Sequence, residues 1–343
     1  MEIKRVKLFQ NTVSSQNALR EINENNLTHG ECLDKLKESL KKTFKKKYCI
    51  LTSNCFFSIF LSLKALGLNK KKVLIPEVST CFSFVNAIKA SGNIPVYCSV
   101  DNEFGNLDVN RIDEMFKSKG FDAPLSPNHM GMVLNTNVLV KYGVPIIEDC
   151  AQSFLTSSIK KSISTIQVFS FSPTKVMNGI DGGAILTDNK ELYNLANNLL
   201  GYDNQFIDDD VVRYNCKMLN VNAAYLLGNI DMLESYKQKN LKHQKLYKKL
   251  ARSKFFKINL DYNNFPYKVL LHFTDKLIRD NFIKKFSNLG VSKEFGLLKK
   301  SNKIKNTIST DIVNLSCSLP IYYDLLDSEI NFIINQILQN ESI

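Results

Sequence analysis

The sequence predicts an α/β protein: a large, mostly parallel sheet domain over residues 1–235, followed by a small α+β domain over residues 236–343. Three observations carry this. Short β-branched runs alternate with helical-period stretches from Tyr48 to Leu200, as parallel strands joined by helical crossovers require. Several of those runs end in polar residues, Ser53, Asp149 and Ser170, at the carboxyl ends where open sheets gather their ligands. Past about Ser235 the pattern changes to charged helices around one clear strand-like run, Phe265 to Phe273.

Taken in order, residues 1–29 are polar and weakly patterned. From Gly30, Leu33, Leu36, Leu40 and Phe44 recur at three- and four-residue steps and predict a helix with one apolar stripe, running into the lysine-rich stretch Lys41 to Lys47. A strand is expected over Tyr48 to Thr52, then a helix through Leu66, with Ser53-Asn54-Cys55 at the junction. Exposed amides at such a helix start can seat a phosphate, though any α/β protein has many such junctions. Val73 to Pro76 and Pro95 to Val100 read as strands flanking a helix over Cys81 to Ala90. Asp108 starts a helix with Val109, Ile112, Met115 and Phe116 on one face. Ala123 to His129 and Val144 to Asp149 continue the alternation. A helical period returns to Leu200, an aspartate-rich loop spans Asp203 to Asp210, and Ala223-Ala224 mark a tightly packed helix. Helices are also expected to about Leu250, around Phe282 to Phe286, and from Ser328 to Leu338.

Composition excludes several classes. A hydrophobic content of 44% and a charged content of 23% are those of a folded globular chain. No apolar run approaches the roughly 20 residues needed to span a bilayer, and the amino terminus lacks a signal-peptide core, so a cytoplasmic location is expected. The eight cysteines show no CxxC spacing and the four histidines no zinc-ligand spacing, so reduced thiols and no metal are expected. The net charge of +12 comes with lysine runs at 41–47, 70–72 and 299–305 that lack a nucleic-acid-binding motif. Nucleic acid is therefore not expected as a partner. Biased composition accounts for most of the charge, and attraction of phosphorylated ligands is the functional alternative.

The stretch from Thr165 to Asp188 carries the chemistry. A strand-like run ends at Ser170-Phe171, Lys175 follows, and Asp181-Gly182-Gly183 lead into a second apolar run, which presents one lysine on the turn between two strands. Taken alone, such a lysine is either a solvated charge or a desolvated amine kept for covalent chemistry with a carbonyl. The preceding strand ends in the carboxylate Asp149. A strand-end acid, a strand-end serine and a lysine are what a pyridoxal phosphate site needs: a partner for the ring nitrogen, one for the phosphate, and an amine for the aldehyde.

Further motifs occur in the order found in one family. Leu27-Thr28-His29-Gly30, Thr80-Cys81, His129-Met130-Gly131, Ile147 through Gln152, Ser170-Phe171 with Lys175, Gly182-Gly183-Ala184, Asn215 with Met218, and Ser318-Leu319-Pro320 cover nearly the whole chain. The sequence resembles the DegT/StrS-type nucleotide-sugar aminotransferases, pyridoxal-phosphate enzymes of the aspartate aminotransferase fold that act as homodimers. The resemblance implies that Lys175 holds the cofactor covalently and moves the substrate proton, and that Asp149 pairs with the ring nitrogen. It implies Gln152 at the phenolic oxygen, Ser170 with the amides of Asn54 and Cys55 at the phosphate, and Cys81 or Phe82 stacked on the ring. Asn215 would reach the phosphate in the neighbouring subunit, and Thr28 and Lys217 would contact substrate. The implied activity is amino transfer from glutamate to a keto group of a nucleotide-linked deoxysugar, for surface glycan or glycoconjugate synthesis.

The departures are specific. The family's Ser-Gly-Thr phosphate turn reads Ser53-Asn54-Cys55, Ser99 replaces an aspartate, Asp181 a glutamate, and Lys217 an arginine. Sugar dehydratases of the same family carry histidine at the lysine position, so Lys175 favours amino transfer over dehydration. A non-catalytic sensor or scaffold retaining the fold is the reading from another class, because the phosphate turn is altered.

Overall fold

The computed structural model describes residues 2–7, 11–79, 81–101, 103–118, 120–202, 211–297 and 307–340. Thr80, the loop from Asp203 to Asp210 and the lysine run from Lys299 to Lys305 lie outside them. Helix α1 (Thr12–Asn23) is capped by Asn11 and occupies the segment expected to be weakly patterned. It lies directly on a later helix, α7 (see below), because residue 228 is glycine: a Cβ there would stand 2.7 Å from the Ser14 backbone. Helix α2 (Glu31–Phe44) buries Cys32, Leu36, Leu40 and Phe44, close to the expected stripe, and ends on Lys45 in the left-handed conformation. Strand β1 (Tyr48–Thr52) follows, then α3 (Cys55–Ala65) and β2 (Lys72–Pro76).

The chain continues through β3 (Val78–Ser79), α4 (Ser83–Ala90), β4 (Ile94–Cys98), α5 (Val109–Ser118), β5 (Ala123–Pro127), β6 (Ile147–Asp149), β7 (Ile166–Ser170), β8 (Gly183–Thr187), α6 (Lys190–Leu199) and α7 (Asn220–Ile230). Seven of these strands form one sheet in the order β1-β8-β7-β6-β5-β2-β4. Strand β8 runs antiparallel to both of its neighbours, while the pairs among β7, β6, β5, β2 and β4 are parallel. The carboxyl ends of β1, β5, β6 and β7 therefore share one sheet edge with the start of β8. Alternation along the strands supplies two apolar faces. Ile50, Val73, Ile75, Val168 and Ile185 pack under α3, α4 and α6, whereas Cys49, Leu51, Phe169, Ala184 and Leu186 pack under α2 and α7.

Helix α8 (Leu233–Tyr247) leads into the small unit, built from β9 (Phe256–Asn259), β10 (Val269–Phe273), α9 (Lys276–Phe286), β11 (Gly296–Leu297), α10 (Thr307–Leu315), β12 (Ser316–Leu319) and α11 (Asp327–Gln339). Its antiparallel sheet has the order β12-β10-β9, and β11 pairs with β3 to tie the two units together. The amino-terminal strap belongs to this unit too. Ile3 is 2% exposed in the same apolar cluster as Tyr247, Phe273 and Phe282, and its amide donates to the Asn288 carbonyl (2.8 Å). Among the described residues, no helix is long and apolar enough to cross a membrane.

Candidate active site

Lys175 stands on the loop between β7 and β8, and the neck of that loop is hydrogen-bonded shut. The Phe171 amide donates to the Gly182 carbonyl (2.8 Å), and the Gly179 amide donates to the Phe171 carbonyl (2.7 Å). Asn229 on α7 donates through Nδ2 to the Asn178 carbonyl (2.7 Å), fixing the far side. Next to the lysine, the Tyr267 hydroxyl donates to the Thr174 carbonyl (2.9 Å), and Lys175 Nζ lies 5.3 Å from the centre of the Tyr267 ring. Lys175 is half-buried and, among the described residues, its amine has no hydrogen-bond or ion-pair partner.

Asp149 ends β6 and faces the same cleft, of about 460 Å³, as Lys175. It is 6% exposed, and its Oδ1 accepts from the Ala151 amide (2.8 Å). Burial pushes its carboxyl up to about 6, offset in part by the Ala151 amide and by the Lys175 charge. Among the described residues this buried carboxylate has a single amide donor and no cation within ion-pairing distance, which leaves its charge without a partner. Its neighbour Glu148 is the contrast: fully buried, it accepts from Asn128 Nδ2 (2.9 Å), Ser164 Oγ (3.1 Å) and Gln167 Nε2 (2.9 Å).

The sequence-predicted phosphate residues lie where β1 turns into α3. Asn54 is the N-cap, its Oδ1 accepting from the Phe57 amide (3.2 Å), so it takes the helix-capping role while its backbone approaches β8. Only glycine fits opposite: a Cβ on Gly183 would meet the Asn54 carbonyl carbon and oxygen at 2.7 Å. Cys55 and Ser170 line the same cleft. Burial, then the Asp149 charge, holds the Cys55 thiol well above its ordinary range, so it stays neutral.

The cleft also takes in Gln152 and Cys81, and Gln152 Oε1 accepts from the Met130 amide (2.7 Å), which leaves its NH₂ as the donating end. Phe82 is not brought in: it precedes α4, is 57% exposed and does not line the cleft, whereas Cys81 and Phe84 do. Asn215 is exposed and outside the cleft of its own chain. Thr28 and Lys217 line not this cleft but a separate cavity of about 210 Å³, with His29, Lys37 and Gly201. Among the cleft residues to which the sequence assigned no role are Arg5, Tyr267, Glu294 and His129, the last within the His129-Met130-Gly131 motif. His129 is 3% exposed, its Nε2 has no hydrogen-bond partner among the described residues, and burial pulls it down to about 4, so it is a neutral imidazole.

These residues fit a flat aromatic cofactor with a cationic ring edge and an anionic tail. Asp149 would supply the counter-charge, the amino end of α3 with Ser170 would seat the phosphate, and Lys175 would offer an amine within the same cleft.

Comparison with known proteins agrees. The chain is 26% identical over 234 residues to GDP-perosamine synthase of Escherichia coli O157:H7, an alignment covering 65% of this chain and 64% of that enzyme, so it spans less than two thirds of that relative. Its fold matches Helicobacter pylori PseC, an aminotransferase involved in the biosynthesis of pseudoaminic acid, with a TM-score of 0.89 at 16% identity and full coverage of both chains. It matches NtdA of Bacillus subtilis, solved with bound cofactor PMP, with a TM-score of 0.88 at 20% identity, covering 100% of this chain and 86% of that one. Residues 10–338 fit the family as a whole, and the chain belongs to the DegT/DnrJ/EryC1/StrS aminotransferase family.

Proposed function

We propose that this chain is a pyridoxal-phosphate-dependent aminotransferase that moves an amino group from glutamate to a keto group of a nucleotide-linked deoxysugar, in the cytoplasm, for surface glycan synthesis. The observation that supports the reading is that one cleft holds a half-buried amine, Lys175, and a buried carboxyl, Asp149, that has no ion-pair partner among the described residues. When bound, the cofactor supplies an aldehyde for amine exchange and an electron-withdrawing ring. Asp149 would hold the ring-nitrogen side of the cofactor by its negative charge. Lys175 Nζ would be the base that takes the proton from the donor's α-carbon and the acid that returns one to the sugar carbon in the reverse half. Gln152 orients the ring through its NH₂, and the closed neck of the 171–182 loop keeps the amine in register. Proton transfer by a positioned amine of this kind contributes about 10²–10⁴-fold in rate.

A homodimer is part of the reading. Val212 and Leu219 flank Asn215 on one exposed segment, and Ile180 stands out of the lysine loop. Apolar side chains exposed at 69%, 47% and 51% on these two segments suit coverage by a second copy. In that arrangement Asn215, Thr28 and Lys217 would serve the neighbour's cleft.

The test is direct. Purified protein loaded with pyridoxal phosphate is mixed with L-glutamate, and formation of pyridoxamine phosphate is followed by absorbance. The amine-loaded protein is then offered a panel of nucleotide keto sugars with mass detection of amino sugars. Failure to convert the cofactor with any amino acid would rule the reading out.

A further inference from the structure

We propose that Arg5 is the receptor for a carboxylate of the amino donor, presented to the cleft by Glu294; this rests on the aminotransferase reading above. Arg5 sits on the amino-terminal strap and lines the cleft that holds Lys175 and Asp149, although it lies 170 residues ahead of the lysine in sequence. The strap is pinned at Ile3, and the Lys268 amine donates to the Arg5 carbonyl. Arg5 Nε donates to Glu294 Oε1 (3.0 Å) and Nη2 donates to Oε2 (2.7 Å).

Glu294 is itself held. Its side chain is 4% exposed, and its Oε1 also accepts from Ser292 Oγ and Ser318 Oγ, each at 2.7 Å. The partner guanidinium is 51% exposed. That asymmetry describes a support and a presented group. A guanidinium has five N–H donors in a planar fork. The side-on pair with Glu294 uses two, and the edge formed by Nη1 with the remaining Nη2 proton stays available, with no acceptor among the described residues. That edge matches two carboxylate oxygens bidentately. On the aminotransferase reading the amino end of α3 would take the cofactor phosphate, and Lys37 and Lys217 line a different cavity, so the fork at Arg5 is left for the donor's carboxylate.

Arg5→Gln would strand the Glu294 carboxylate, so the informative variant is the double change Arg5→Gln/Glu294→Gln, with Arg5→Lys as a second that keeps charge and loses the fork. Three quantities are measured on cofactor-loaded protein: 2-oxoglutarate affinity by calorimetry, KM and kcat for the glutamate half-reaction, and UDP affinity. The double variant should load cofactor like the parent, weaken 2-oxoglutarate binding and raise the glutamate KM by about tenfold or more, lower kcat by less than that, and leave UDP affinity unchanged. Arg5→Lys should recover only part of the loss. Parent-like KM and 2-oxoglutarate affinity in the double variant would overturn the proposal, as would a loss falling on UDP instead, or a parent that binds no 2-oxoglutarate. If the parent forms no pyridoxamine phosphate yet binds 2-oxoglutarate through Arg5, the carboxylate site stands and the aminotransferase reading falls.

Discussion

Replacing Asp149 with asparagine isolates the electrostatic heart of the cleft. In the cofactor-free protein, burial raises this carboxyl from 3.8 to about 6. An acid whose folded-state value lies above its unfolded one favours the folded state fully at pH below about 4, and that contribution is lost as pH rises through about 6. Two units at 1.36 kcal/mol each make the loss about 3 kcal/mol. His129 and His243, both pulled down to about 4 by burial, act with the opposite sign, since each must stay neutral to remain buried. Only the difference between parent and variant is therefore diagnostic. Urea unfolding of the cofactor-free proteins from pH 4 to 8 should show Asp149→Asn gaining on the parent by about 3 kcal/mol across that interval. The same variant should bind pyridoxal phosphate more weakly at pH 7, having lost the counter-charge. A difference in unfolding free energy that stays flat between pH 4 and 8 would refute the assignment of a strained, waiting acid.

Three other outcomes are expected. Lys175→Ala should cut amino transfer by about a thousandfold while thermal unfolding moves by less than about 0.5 kcal/mol equivalent, because the amine has no hydrogen-bond or ion-pair partner among the described residues; steady-state rates and calorimetry check both halves. Gly183→Ala should cost about 1–3 kcal/mol by chemical denaturation and weaken cofactor binding, since its Cβ would press on the Asn54 backbone. Leu219→Asp, at an exposed apolar position, should shift the sedimentation coefficient from dimer to monomer, and a parent that already sediments as a monomer would remove the shared-site reading.

The elements that position the cleft were legible because their signals are local. The apolar stripe of α2, the alternation of strands and helices, and the polar residues at strand ends each follow from neighbours in sequence, and Lys175, Asp149 and Ser170, read from the same signals, line one cleft. Helix α1 escaped notice because its pattern is inverted: Ser14, Ala18 and Glu21 are buried, while Val13, Leu19 and Ile22 are exposed. In α5 only Ile112 of the four expected face residues is fully buried. Strand β12 reads Ser-Cys-Ser-Leu, and β3 and β11 are two residues each, too short for any period to register. Arg5 and Glu294 are 289 residues apart and meet only because the strap crosses to the small unit. Phe82 illustrates the converse, an aromatic beside the right motif that turns outward from its site.

The reversed direction of β8 has a corollary. With five paired residues against β1 and four against β7, the lysine-bearing loop is anchored by the sheet on both sides. The side chain at its tip contributes little to that anchoring, so residue 175 can be exchanged at small folding cost. A side chain held that way would set which reaction the cleft performs without setting how firmly the scaffold around it is built.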